Sequence, residues 1–552
     1  MVILLGLGVQ GAGAQDSPLE NRWQQPPPGY ETEPRDLPPD EELVRRGAVI
    51  GEIYIQTDDI FDPEQPGENR FLFRLANRLH VTTRPNTVER KLLFRSGEPY
   101  DPRILRETAR YLRSLDYIFD AVVEPIRYQG NRVDVVVRTR DVWTLNAGAG
   151  LKRSGGENTF QLQLEESNFL GTGRFVDLKF VDGPDRSSSR FRYVDDALFN
   201  SRFELRLWYA DNSDGHRHIF DLERPFFALD TRWSGAVKVL SDLRRERVYL
   251  QGRVRHRFMH EKTFAEFRTG FSRGYDAEGG HARRWHVGYT YEEDRFSEDV
   301  RSNPIFDIPA DRRHSYIWAG YEFVEDGFVE ARNLDQLNRV EDLNFGREFH
   351  ARLGYSSEFL GADSNKLFFS ASLHFGWQLN RGQTLFFDGW TSGRWGREGE
   401  ENTLVGTEIR YYLETFRRHR LHIAVRGDMA FNLDPESQLL LGGDEGLRGY
   451  PRNFQNGSRR FLVNIEQRFY TNWHLFKLVH VGAAVFFDIG RAWTDTGNLK
   501  GNDLGILKDV GFGLRLSSSR SSKGQMVHLD VAYPLDGGLD EIQWLVSSRQ
   551  SF

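Results

Sequence analysis

From Val142 onward the chain keeps one rhythm. Runs of roughly ten residues alternate apolar with polar or small side chains, and turns rich in Gly, Asp, Asn, Ser and Arg separate them. A period of two sends successive side chains to opposite faces of a strand, so each run makes a two-faced strand. Phe160–Leu164 separates cleanly in this way, as do Phe203, Leu205, Leu207 and Tyr209 against Glu204 and Arg206. Near the end, Val481, Ala483, Val485, Phe487 and Ile489 alternate with Gly482, Ala484, Phe486, Asp488 and Gly490. Val510, Phe512, Leu514 and Leu516 alternate with Gly511, Gly513, Arg515 and Ser517, and Val527 to Leu535 repeats the pattern against His528, Asp530, Ala532 and Pro534.

A soluble sandwich also alternates. Three features favour a transmembrane antiparallel β-barrel over residues 142–552. The strands are long and follow one another without a helical interlude. Aromatics crowd their ends, as in Leu207-Trp208-Tyr209, Tyr411-Tyr412 and Phe469-Tyr470, where interfacial girdles belong. The chain also runs to Phe552 on a strand whose apolar stripe of Ile542, Trp544 and Val546 is interrupted by Ser548 and Gln550. Closure is required, because an open edge in lipid leaves backbone groups unpaired. About twenty-one strand candidates can be counted, and a barrel with both ends on one side needs an even number, so the rhythm gives up to about twenty. The surplus is expected between Asn303 and Lys366.

Composition narrows the alternatives. No stretch after residue 9 approaches the ~18–20 apolar residues of a membrane helix, and mean hydropathy is −0.57. An aromatic content of 13% is too high for a disordered chain, and 53 Gly and 41 Phe against 4 Met is a strand-and-turn composition. A net charge of −7 gives no sign of a nucleic-acid partner. The absence of cysteine excludes disulfides, thiolate metal sites and a cysteine nucleophile, and suits export.

The apolar run Val2–Val9 with Ala12-Gly13-Ala14 before Gln15 makes residues 1–14 a signal peptide remnant. Residues 15–45, with Pro26-Pro27-Pro28 and Asp40-Glu41-Glu42, read as a flexible tether. Residues 46–140 form a compact α+β segment. A strand is expected over Val49–Gln56 and a short helix over Asn86–Phe94. A second helix opens at Asp101-Pro102, since Asp caps well and Pro suits the first helical position. Strands over Ala121–Tyr128 and Arg132–Thr139, joined by Gly130-Asn131, form a hairpin.

No phosphate-binding, zinc-protease or nucleophile-elbow motif occurs. His216 and His218, and His419 and His422 among Arg417, Arg418 and Arg420, lack a third ligand, so no metal, cofactor or catalytic site is expected. One loop stands out instead. Arg448 lies in a Gly-rich connection of about thirty residues, longer than ordinary loops. Asp488 and Glu466 fall on the polar faces of their strands, and Gly482 and Gly490 leave room for a loop to enter. The fork of Arg448 suits a bidentate pair with either carboxylate.

These residues bring a resemblance into view. The stretch Leu441–Tyr450, LGGDEGLRGY, resembles the conserved loop of the BamA/TamA outer-membrane assembly family. Its core motif, V/I-R-G-F/Y, here reads Leu447-Arg448-Gly449-Tyr450, with Leu as a mild departure. Phe486–Gly490 resembles the family's F-x-D-x-G strand, and Gly511–Arg515 and Leu529–Leu535 its next two strands. Gly155–Asn158 and Asn168–Gly173 resemble the first barrel hairpin and its turn, and residues 46–140 a POTRA domain. The resemblance implies a barrel of about sixteen strands in a bacterial outer membrane, with the POTRA domain in the periplasm. It implies that the loop is tucked inside with Arg448 on Asp488. It implies a closing seam between the Gly/Ala-rich first strand and the last strand, which carries Trp544 and Phe552. The function it implies is non-enzymatic insertion of unfolded outer-membrane client proteins by strand templating at that seam. Lipid or lipopolysaccharide is implied as a contact, and periplasmic or lipoprotein partners through the POTRA domain. The rival readings are a two-partner-secretion-type pore, which usually carries two POTRA units, a porin or barrel hydrolase, and a barrel whose client is lipid.

Overall fold

The computed structural model describes residues 37–64, 67–154, 156–300, 307–416, 418–443, 445–494, 504–521 and 526–549. Phe552 and residues 1–14, expected as a signal peptide remnant, lie outside them. By compactness the chain divides into two units, 1–150 with 166–174, and 151–165 with 175–552.

The first unit is built on a three-stranded sheet, β1 (Val49–Asp58), β2 (Ile118–Gln129) and β3 (Arg132–Asp141). The order is β1-β3-β2, with β1 parallel and β2 antiparallel to β3. Its helices are α1 (Asp40–Arg45), α2 (Phe71–Leu79), α3 (Pro85–Glu89) and α4 (Pro102–Ser114). Asp101 caps α4 by accepting from the Arg103 amide, with Pro102 at the first helical position. Leu105 and Leu112 then reach a core with Ile50, Val133, Val135 and Val137. The tether expected up to residue 45 ends sooner. Asp40, Glu41 and Glu42 favour a helix start by their charge, and Leu43 inserts fully into the core. The helix expected over Asn86–Phe94 stops at Glu89, and Leu92 and Phe94 are buried beyond its end. The helix α2 was not anticipated.

Twenty antiparallel strands close into a barrel, running from β4 (Leu145–Ser154) through β5 (Glu157–Phe169) and β6 (Arg174–Asp182) to Gln543–Arg549. The count is therefore twenty, not the sixteen implied by resemblance. The surplus candidates lie where the parity argument put them. Phe328–Arg332 and Val340–Asn344 pair with each other as a separate hairpin between the barrel strands Arg312–Glu325 and Glu348–Ser356. Because the number is even, the barrel begins and ends at one end, the near end. This hairpin emerges there, and the loop between Phe431 and Arg459 emerges at the far end.

Burial is inverted relative to a protein packed on its own core. In Leu507–Ser518 the outward Val510, Phe512 and Leu514 are 44%, 61% and 48% exposed, whereas Asp509 and Arg515 are 0% exposed. Phe160, Leu162 and Leu164 point outward in the same way, as do Trp285 and Val287, and Val237 and Val239. Asp177, Asp242, Asp294, Asp428 and Asp530 are buried inside. Apolar outside and charged inside is the pattern of a barrel solvated by hydrocarbon.

Candidate functional site

The loop between Phe431 and Arg459 folds into the lumen. Its two short strands, Leu439–Leu441 and Gln455–Gly457, pair with each other and bring the tip back on itself. Leu441, Leu447 and Tyr450 are completely buried and pack with Leu462, Ala492 and Leu507. The Tyr450 hydroxyl donates to the Lys508 carbonyl at 2.8 Å, and its ring stacks on Phe454. Gly449 is required by close approach: a Cβ there would sit 2.5 Å from Asp509 Cβ. A Cβ on Gly490 would meet Leu441 and Leu447, so that glycine makes room for the loop.

Arg448 occupies the centre. Its Nε and Nη2 donate to the two oxygens of Asp488, both at 2.8 Å, and its Nη1 donates to Glu466 at 2.8 Å. The guanidinium lies 3.3 Å over the Phe486 ring. Asn464 donates to Asp488 at 2.7 Å and to the Gly446 carbonyl at 3.0 Å, tying the loop to the same carboxylate. The sequence posed Asp488 or Glu466 as partners, and the structure brings Arg448 to both.

The remainder of the loop reaches around the circumference. Glu436 pairs with Arg312, Gln438 exchanges hydrogen bonds with the Tyr249 backbone, and Arg452 meets Glu157 at 3.0 Å and Asp185 at 3.4 Å. One loop thus spans the far end of the lumen.

The near-end hairpin reaches inward from the opposite side. Leu334 packs with Phe386 and Tyr412, and Leu337 with Tyr470, Ala484 and Met526. The Tyr412 hydroxyl donates to Asp335 at 2.8 Å, and Arg468 donates to the Leu334 carbonyl at 2.7 Å. Arg468 also donates to Glu466, at 3.2 Å, and to His422 Nδ1, at 3.0 Å. Glu466 is therefore shared. Arg448 holds it from the far-end loop, and Arg468, which grips the near-end hairpin, holds it from its own strand. Arg515, itself bonded to Asp530, lies 3.6 Å away. Sequence reasoning placed Glu466 in the lumen but missed Arg468 and the hairpin.

At the closing seam the last strand pairs with β4, with Val546 opposite Arg153. The preceding pair of strands is in register continuously from Met526–Arg549 to Ala532–Gln543. Trp544 points outward, 59% exposed. His216 stacks on His218 and contacts Ser241, and no cluster able to hold a metal occurs among the described residues.

No family model and no curated protein matches the chain. Among solved structures it is similar to BamA from Haemophilus ducreyi lacking POTRA domains 1–3 (12% identity, TM-score 0.38, 92% of this chain and 85% of that one). It is also similar to CdiB from Acinetobacter baumannii (12%, 0.45, 92% and 74%) and CdiB from Escherichia coli (12%, 0.45, 91% and 77%).

Proposed function

We propose that this chain is a bacterial outer-membrane barrel that inserts β-rich client proteins by exposing a strand edge at the seam between β4 and Gln543–Arg549. The reading of the barrel as membrane-spanning is supported by the inverted burial, because an apolar belt over buried carboxylates is stable only in hydrocarbon. The observation that carries the function is the composition of the seam where the last strand meets the first. β4 is rich in Gly and Ala, which add little side-chain packing. An opened edge presents unpaired N–H and C=O groups, and an extended client satisfies them by strand addition. Exchanging one edge pairing for another needs no covalent chemistry, so the activity is not enzymatic. The first unit, with the strand order of its sheet, faces the periplasm in this reading and receives clients or lipoprotein partners.

The lumen favours this role over a conduit. Loop and hairpin reach into this lumen from both ends, which supports a role other than that of an open porin-type bore. The test uses the cysteine-free background. Arg153→Cys/Val546→Cys is oxidised across the seam in vesicles and supplied with an unfolded small outer-membrane barrel. Client folding should stop on oxidation and resume on reduction. Undiminished folding with the seam locked would overturn the proposal, and transport of a client across the vesicle wall with the seam locked would favour the secretion-pore reading.

A further inference from the structure

We propose that α2 is an interfacial anchor. It lies in the headgroup–acyl boundary of the leaflet that the first barrel strand enters, with its arginines on anionic phospholipid headgroups. The inference rests on the membrane-spanning reading of the barrel and adds a lipid contact to the first unit.

α2 turns its apolar stripe the wrong way for a soluble domain. One side is pinned. Phe73 is buried and stacks on Phe61 at 4.4 Å, and Asn77 bonds both the amide and the carbonyl of Phe61, at 3.1 and 2.6 Å. At 100° per residue, Phe71, Leu75, Leu79 and Leu72 fall within about a third of the circumference on another side. They are 69%, 38%, 65% and 69% exposed. Arg78, Arg74 and Arg70 follow one another along one flank of that stripe. A surface helix ordinarily turns such a stripe to the core. An outward stripe bordered by arginines is the build of a helix lying in a membrane interface.

The position of the helix in the unit supplies the partner. His80, directly after α2, bonds Asp141 through Nε2 at 2.9 Å, and the Thr83 amide donates to the same carboxylate oxygen at 2.7 Å. Asp141 is four residues before Leu145, where β4 begins, a span of at most about 14 Å. Thr83 accepts from Asn168 at the end of β5, and the Gly171 carbonyl, in the turn to β6, accepts from the Arg84 amide and the Thr87 hydroxyl at 3.0 and 2.9 Å. Gly171 has φ +72° and a Cβ there would lie 2.5 Å from the Thr82 carbonyl, so the clamp needs glycine. The segment after α2 is thus fastened at two places where barrel strands start or turn. Val81, Leu145, Phe169 and Leu170 are themselves exposed there. The helix is held at the level where the chain enters the bilayer, with its greasy side free.

The absence of cysteine allows a direct test. Leu72→Cys, Leu79→Cys and, as a control on the exposed side of α4, Arg106→Cys are labelled with bimane in the full chain. The proteins are reconstituted in phosphatidylethanolamine–phosphatidylglycerol vesicles. Bimane at 72 and 79 should be quenched several-fold more than at 106 by lipid carrying a doxyl group at acyl carbon 5, and several-fold less by aqueous iodide. Arg70→Gln/Arg74→Gln/Arg78→Gln should move both probes back toward water. Iodide access at 72 and 79 equal to that at 106 overturns the proposal. Shielding from iodide without doxyl quenching also overturns it, since a protein surface would then cover the helix. Heat-dependent gel mobility and protease protection report barrel insertion in the same vesicles. An inserted barrel with probes in water sinks the anchor alone, and a barrel that never inserts sinks both readings.

Discussion

Removing Arg448 tests whether the tucked loop is held by its charge. Arg448→Ala deletes two hydrogen bonds to Asp488, one to Glu466 and the stack on Phe486, and it leaves Asp488, which is 0% exposed, without its main cation. Taking one partner from a buried pair costs about 3–5 kcal/mol, chiefly because the remaining charge stays desolvated. Asn464 still donates to Asp488, and Arg468 still donates to Glu466, so the lower half of that range applies. At 1.4 kcal/mol per decade, a loss of about 3 kcal/mol raises the population of released loop about a hundredfold. Trypsin acting from the far-end side at Arg452 reads that population when release is fast relative to cleavage. Arg448→Lys should recover part of the protection, since an ammonium keeps the charge but cannot grip Asp488 with two donors while reaching Glu466. In a cycle with Asp488→Asn, the coupling should fall between about 0.5 and 3 kcal/mol. Cleavage at the wild-type rate in Arg448→Ala, together with zero coupling, would refute the reasoning.

Gly449→Ala should release the same loop although it removes no bond, because the new Cβ meets a main-chain-attached carbon of Asp509. The cost of such overpacking is ~1–3 kcal/mol, readable as a lower temperature for loss of the compact gel band. Replacing residues 328–344 by a short Gly-Ser turn removes one of the two lumenal inserts. Single-channel conductance in planar bilayers should rise above wild type, and an unchanged value would show that the hairpin does not obstruct the bore. Glu341 accepts from the Leu334 and Asp335 amides, and burial with the neighbouring Asp335 charge pushes its carboxyl up to about 7. Packing then favours the protonated form, so hairpin stability should rise as pH falls from 8 through 7 toward 4.5. The gain is on the order of 2–3 kcal/mol. Conductance bursts should become rarer over that interval, and Glu341→Gln should flatten the dependence.

The barrel was legible because its signal is local. Val510, Phe512 and Leu514 announce a face within five residues, and the structure turns that face outward. Phe328–Arg332 and Val340–Asn344, which stay out of the wall in the interval where a surplus was expected, are only five residues long and do not alternate strictly. What made them leave the wall is not local. Leu334 and Leu337, between them, find apolar partners on strands far along the chain. The loop motif marked Leu447, Arg448, Gly449 and Tyr450, and alternation put Asp488 and Glu466 inside. The convergence of Arg468 on Glu466 depends on how the strand and the hairpin meet in space, which no spacing in the chain records. α2 escaped notice because amphipathic patterns are ordinarily read as burial, and its stripe is exposed.

Glu466 is 5% exposed and has only a few lone pairs to give. The far-end insert and the arginine gripping the near-end insert both draw on them. Arg448 takes one oxygen and Arg468 the other, so removing either arginine changes the charge that the other one meets at a single carboxylate. By reciprocity, whatever factor release of one insert imposes on the holding of the other, release of the other imposes on the first.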